Sequence, residues 1–248
     1  MPFDAHPVPG ASLDDLDLER FQREYLPSAI SPEALTENRR TREQQLQALR
    51  LVHPDRTPTV TAILMLGIEP RRWFPGAYVQ FLRVDGLHLT DPLLDHQELA
   101  GTLVDQLQRI EELVRLHIRR PATVGGPLRS EIKDYPEEAI RQLVRNAVLH
   151  RSYEGTNAPV RMTWFDDRVE IQSPGGPFGQ VTRSSFGTPG VADYRNPTLA
   201  EALKMLGYVE RFGVGIPIAR ERLAANGNPP PEFTVEDAHV LAVVRRKP

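Results

Sequence analysis

The chain has no cysteine among its 248 residues. That excludes disulfide frameworks, thiolate zinc sites and cysteine nucleophiles. No apolar run approaches 18 residues, so no membrane span is expected. The start, MPFDAHPVPG, has neither a basic flank nor an apolar stretch and does not read as a secretory signal. The expected compartment is the cytoplasm. There is no G-x-x-x-x-G-K-[ST] and no G-x-S-x-G, which removes P-loop motors and α/β-hydrolases. The seven histidines are scattered with no H-E-x-x-H. "HLTDPLLDH" (88–96) gathers His and Asp but reads as a solvated loop ahead of a helix. A net charge of −3 gives no support for binding nucleic acid through bulk charge.

What is present is an ordinary globular composition, 40% hydrophobic and 25% charged, with 23 prolines that predict many defined loops. Ser12 with Asp15 looks like a capping-box start, and Ser31-Pro32 is a second helix start. Residues 33 to 52 read as one polar helix ending in an apolar stripe of Leu46, Leu49 and Val52. Pro54 and Pro58 mark a break. "TVTAILMLG" (59–67) is either a buried strand or a short buried helix, and periodicity does not decide. "AYVQFLRVDG" (77–86) reads as a strand entering a turn. "QELAGTLVDQLQRIEELVRLHI" reads as a long helix packing through Leu99, Leu103, Leu107, Ile110, Val114 and Leu116.

Residues 123–127 form a Gly/Pro break and the expected internal boundary, followed by a strand around Ile132. Pro136 opens a helix to about His150. "VRMTWF" and "VEIQS" form a hairpin, followed by a Gly/Pro/Ser-rich loop from 174 to 195. "PTLAEALKML" and "VGIPIARERLAANG" read as helices, each stopped by glycine, and "EFTVEDAHVLAVVRR" as one or two strands. The interleaving predicts an α+β fold, a two-layer α/β sandwich with a mixed, largely antiparallel sheet, preceded by a helical N-terminal segment. Two units are expected, 1–56 and 57–248, with the core motifs in 129–245.

On a helical wheel over 138–151, Ile140, Leu143, Val144 and Ala147 face the core, while Gln142, Asn146 and His150 form a polar stripe on its flank. Taken alone this stripe reads as a solvated face more readily than as a ligand contact. "VEIQSPGG" runs into a turn that lets backbone approach a ligand. "ERFGVGIPIARERLAANG" is a Gly-x-Gly turn entering a helix, whose N–H groups favour phosphate oxygens.

That order resembles the GHKL-type (Bergerat) ATP-binding fold of histidine kinases, gyrase B-type topoisomerases and MutL-type proteins. It is more closely similar to a family of transcriptional regulators, often labelled RecG-like, that carry an AlbA/Schlafen-type DNA-binding domain before a divergent GHKL-type domain. The residues that carry the match are "YPEEAIRQLVRNAVLHRSY", "FDDRVEIQSPGG", "RNPTLAEALKMLGYVERFGVGIP" and "NGNPPPEF". The lead-in "PFDAHPVPGASLDDLD" resembles the sequence just after that DNA-binding core, so the chain is expected to begin where the core ends.

The resemblance implies ATP and Mg²⁺ as ligands, with Asn146 as the metal-side contact. It places His150, Ser173, Gly175, Gly176, Arg195, Asn196, Arg211, Gly213 and Gly215 around the nucleotide. Hydrolytic members place a Glu four residues before the asparagine. Gln142 stands there and cannot accept a proton at neutral pH, so no catalytic residue and no efficient hydrolysis are expected. Ser173 stands where the pattern has an adenine-binding Asp, and offers a hydroxyl without charge assistance. The expected function is a nucleotide-binding regulatory module. A degenerate fold acting as a dimerisation scaffold is the alternative. DNA would be contacted only through the absent N-terminal domain, and the expected protein partner is a second copy.

Overall fold

The computed structural model describes residues 1–37, 39–119, 133–209 and 213–247. Its centre is one six-stranded sheet in the order β2-β1-β3-β4-β6-β5. The strands are β1 (Val79–Val84), β2 (Leu93–Leu99), β3 (Val160–Trp164), β4 (Arg168–Pro174), β5 (Glu232–Val235) and β6 (His239–Arg245). Only the β1/β3 pair is parallel, with Val79 opposite Val160, and every other neighbour is antiparallel. In β4, Val169, Ile171 and Ser173 are buried while Arg168, Glu170 and Gln172 between them are half-exposed. That alternation marks a sheet covered on one face. The fold is the expected α+β two-layer sandwich.

The N-terminal segment contains α1 (Leu18–Arg20), α2 (Leu26–Ala29), α3 (Pro32–Glu37) and α4 (Arg42–Ala48), followed by α5 (Val60–Leu66) and α6 (Pro70–Trp73). The covering layer is α7 (Leu103–His117), α8 (Glu137–His150), α9 (Pro197–Met205) and α10 (Gly215–Asn226). Helix α8 lies between α7 and α10 and touches β3 and β4. Its buried side is the expected one: Ile140, Leu143, Val144 and Ala147 are all in the core. One continuous apolar cluster runs from Val8 and Phe21 through α5 to Val244.

Four readings need correction or completion. Residues 33–52 are two helices: Thr41 and Gln44 form a capping box that starts a new helix at Arg42. The long helix does not begin near residue 97. Leu93–Leu99 pair with β1 as a strand, and Thr102 with Asp105 caps α7 three residues later. Leu99 therefore packs from a strand, and Leu116 is 73% exposed rather than part of the packing face. The run 59–67 is a helix whose N-cap is Thr59, accepting from the Ala62 N–H, and every residue of it is buried. The expected boundary at 123–127 and the strand around Ile132 lie outside the described residues.

The lead-in is tied to the covering layer. Asp4 is fully buried, and its carboxylate accepts the Leu199 N–H at 2.8 Å in the first turn of α9. Its carbonyl accepts the Thr61 hydroxyl at 2.9 Å. Burial raises the Asp4 pKa, against the hydrogen bonds from Leu199 and Thr198 that lower it. No helix among the described residues is long and apolar enough to cross a membrane.

Candidate functional site

Helix α8 presents two adjacent faces to two adjacent compartments. Leu143, Asn146, Ala147 and His150 line an apolar cavity of about 110 Å³, closed by Ser173, Gly175 and Gly176 at the end of β4, by Phe186 and Val191 of the 174–195 loop, and by Ile216 and Phe233. Gln142, Arg145, Asn146, Leu149 and His150 line a smaller polar cleft, faced by Tyr194, Tyr208 and the turn Gly213–Gly215. Each set follows helical spacing. Asn146 and His150 belong to both, so the polar stripe read from the sequence is the seam between the compartments.

The amide of Asn146 is half-buried and makes no hydrogen bond among the described residues. His150 stacks on Tyr194, with ring centres 5.4 Å apart. Burial lowers its pKa from 6.5 to about 4, helped by Arg195 and opposed by Asp193, so the ring is neutral at physiological pH. Gln142 is 6% exposed, more buried than a flanking stripe suggests. Its amide nitrogen donates to Glu138 at 2.7 Å. Its oxygen faces Gly215, where an added Cβ would sit 3.3 Å away. Gly215 thus lets α10 approach α8 closely.

The other candidates have partners that define them. A helix leaves its last four carbonyls without intrahelical donors. In α8 three of them are capped by side chains. The Ser173 hydroxyl donates to Ala147 O at 2.8 Å, the Tyr153 hydroxyl to Val148 O at 2.9 Å, and the Asn196 amide to Leu149 O at 2.7 Å. Asn196 also donates to Arg151 O at 2.9 Å and is 1% exposed. Ser173 keeps lone pairs toward the cavity, so toward a ligand it acts as an acceptor. The Gly175 and Gly176 N–H groups donate to the carbonyls of Ala238 and Asp237 at 2.7 and 3.0 Å. Arg195 donates to Gly176 O at 3.1 Å and lies over the Phe178 ring, 4.8 Å from its centre. Neither Arg195 nor Asn196 lines either compartment. Gly213 adopts φ +63°, which suits glycine in that turn. Pro217 at the third position of α10 removes one of the N–H donors a helix start normally offers. Arg211 lies outside the described residues.

The loop from 174 to 195 lies closed over the apolar cavity. Phe186 packs on Phe233 at 5.3 Å between ring centres, Arg220 donates to Gly187 O at 2.7 Å, and Arg183 pairs with Glu236 and Asp237 at 3.1 and 2.9 Å. The free space is below the ~300–1,000 Å³ usual for small-molecule pockets, so a large ligand requires the loop to open. Sequence reasoning missed Phe186, Tyr194, Tyr208 and Arg145. Arg145 had a local signal, since it lies three residues after Gln142 and shares its face. The three ring residues come from the loop and the end of α9 and had none.

No cluster of three or more His, Asp or Glu side chains suited to a metal ion occurs among the described residues. A divalent ion here would rest on the Asn146 amide oxygen, with phosphate oxygens and water completing its shell, as Mg²⁺ commonly does.

Residues 157–244 match the family model described as "Putative ATP-dependent DNA helicase recG C-terminal". The match begins after α8 and spans both glycine turns and the closing loop. No curated protein sequence matches the chain. Among solved structures, the DIP2311 protein from Corynebacterium diphtheriae superposes with a TM-score of 0.72 at 18% identity. The superposition covers 100% of this chain and 41% of that one, so the chain spans about two fifths of its neighbour's length. At that identity the likeness is one of fold. The C-terminal part of the chain is therefore similar to a divergent ATPase-type domain.

Proposed function

We propose that the chain is a nucleotide-binding regulatory module that takes Mg·ATP or a close relative and binds it without efficient hydrolysis. One observation carries this reading. Asn146 places an amide with no hydrogen-bond partner among the described residues at the seam between an apolar compartment and a polar one. A flat heterocycle suits the first and phosphates with their metal suit the second. The neutral His150 ring and the acceptor lone pairs of Ser173 recognise the base. The turn Gly213–Gly215 approaches the phosphates. Gln142, engaged by Glu138, replaces a general base, which supports binding without turnover. Nucleotide acts on a regulator whose DNA contact lies in another domain, and on association with a second copy.

The test is calorimetric titration with Mg·ATP beside Asn146→Ala. Saturable heat lost in the variant is expected. No heat and no thermal shift at millimolar nucleotide would overturn the reading.

A second reading is favoured by the loop lying over the apolar compartment, with Phe186 on its wall. In it the chain is a scaffold that has lost its ligand. Sedimentation at several concentrations, with and without nucleotide, separates the two: a dimer indifferent to nucleotide supports the scaffold.

A further inference from the structure

Among the described residues the walls of the two compartments carry very little positive charge. Among the described residues, Arg145 is the only lysine or arginine on either wall. His150 is neutral, and among the described residues Asp193 is the one carboxylate on either wall. Arg195 points to the carbonyls of the closing loop. Arg145 is 14% exposed along its side chain, and its Nε is buried with no hydrogen-bond partner. One Nη donates to Glu111 of α7 at 2.5 Å, and the guanidinium lies 5.4 Å from the centre of the Tyr208 ring. Tyr208 is itself fixed from α7, where Gln108 donates to its hydroxyl at 3.0 Å. Glu111 is shared with Arg141, 3.9 Å away. Arg145 is thus held at the edge of the polar cleft by one carboxylate, with part of its donor fork unused. Such a fork matches phosphate oxygens in shape and charge.

We infer that Arg145 is the phosphate-binding cation of this site, and that Glu111 competes with the ligand for it. The inference rests on the nucleotide reading only for the identity of the base. The phosphate chemistry stands by itself. A polyphosphate entering the cleft draws Arg145 from Glu111, and the guanidinium offsets part of the phosphate charge. Glu111 therefore sets the affinity of the cleft from outside it, through α7.

The experiment titrates the full chain, in the presence of Mg²⁺, with three probes: adenosine, inorganic tripolyphosphate and AMP-PNP. The proteins are wild type, Arg145→Met and Glu111→Gln. Arg145→Met is expected to weaken tripolyphosphate and AMP-PNP about tenfold to a hundredfold and to leave adenosine unchanged. Glu111→Gln is expected to tighten both phosphate probes about threefold to tenfold, a gain that damage to the fold does not imitate. Unchanged phosphate affinity in Arg145→Met overturns the inference. So does equal loss of adenosine and AMP-PNP in a folded variant, and so does weaker phosphate binding in Glu111→Gln. If tripolyphosphate binds in an Arg145-dependent way and adenosine adds nothing, the inference stands and the nucleotide reading falls. Wild-type protein that binds adenosine with no gain from phosphates overturns the inference alone. Wild-type protein that binds none of the probes overturns both.

Discussion

Acid sensitivity provides a direct measurement of how closed the site is. His150 is half-buried at the seam, and its folded pKa of about 4 lies below its unfolded value of 6.5. The folded state therefore binds fewer protons than the unfolded state between those values. Its stability is fully present above pH 6.5 and is lost as pH falls toward 4. The shift corresponds to at most about 3 kcal/mol, and about 1–3 kcal/mol once the partial exposure of the ring is allowed for. For a chain of this length that lowers the melting temperature by about 2–12 °C between neutral pH and pH 4.5. Other groups respond too. Asp4 and Asp134 have pKa values raised by burial, so they act in the opposite sense and favour the folded state as pH falls. The His150 contribution is isolated by His150→Phe, which keeps a ring against Tyr194 and removes the titration. Urea unfolding of both proteins from pH 7.5 to 4.5 should show wild type losing stability relative to the variant over that window. NMR should place the imidazole midpoint well below 6. Parallel curves for the two proteins, or a midpoint near 6.5, would show that the ring is solvated and the compartment open.

Three further outcomes follow from the geometry. Asn196→Ala removes the donor to two buried carbonyls at the end of α8 and should cost about 2–4 kcal/mol in chemical denaturation; a loss under half of that would mean water replaces the amide. Gly176→Ala places a methyl 2.3 Å from the Glu236 carbonyl, against backbone that cannot swing aside. It should cost about 1–3 kcal/mol and make the 174–195 loop cut faster by trypsin; unchanged proteolysis would contradict the close contact. Gln142→Glu should confer Mg-dependent phosphate release from ATP, more so with Glu138→Gln. Glu138 lies 2.7 Å from the replaced amide, and two carboxylates at that distance share a proton. A correctly placed general base is worth about 10²–10⁴ in rate, and no release above an Asn146→Ala background would count against the placement of Gln142.

Where the chain was legible in advance, local patterns agreed with tertiary demands. Helix α8 follows Pro136 and ends at His150, and its wheel puts Ile140, Leu143, Val144 and Ala147 inside, as observed. The hairpin of β3 and β4 and the glycine stop of α10, with Gly227 at φ +82°, were equally local. Misreadings came from two sources. Two capping boxes, at Thr41 and Thr102, were overlooked, and each marks a helix start that a continuous amphipathic pattern conceals. The other source is pairing. Leu93–Leu99 becomes a strand because β1 offers an edge, and no short-range signal in "LLDHQEL" announces that. The site follows the same logic. The stripe was visible because it lies on one helix. The capping set of Ser173, Tyr153 and Asn196 was not, because its members come from three segments that meet only at the end of α8.

That capping set also fastens both ends of the loop that covers the site. The closing loop leaves β4 at Pro174, whose carbonyl accepts the Ser152 N–H at 2.8 Å, directly after Ser173 bonds Ala147 O. It returns to the fold at Asn196, which bonds Leu149 O and Arg151 O. Both ends are thus fastened to the same helix terminus, and breaking either leaves buried carbonyls without donors. Between them the restraints are of a different kind. The pairs of Arg183 with Glu236 and Asp237 are exposed, and such pairs are worth about 0–1 kcal/mol. Besides these, the Gly175 and Gly176 N–H groups tie the start of the loop to Ala238 O and Asp237 O, Arg195 donates to Gly176 O, and Tyr194 stacks on His150 near its end, while the middle is held by Phe186 on Phe233 and by Arg220 to Gly187 O. Opening is therefore expected between 177 and 193, leaving α8 with Asn146 and His150 in place, and faster tryptic cleavage at Arg183 than at Arg195 would check it. Gly179, Gly187 and Gly190, all at positive φ, give the backbone positions where the hinge bends at least cost. A large ligand entering the apolar compartment is expected to displace the Phe186–Phe233 contact and the Arg220 bond to Gly187 O, so Phe186→Ala should change its affinity, and an unchanged affinity in calorimetry would count against this route.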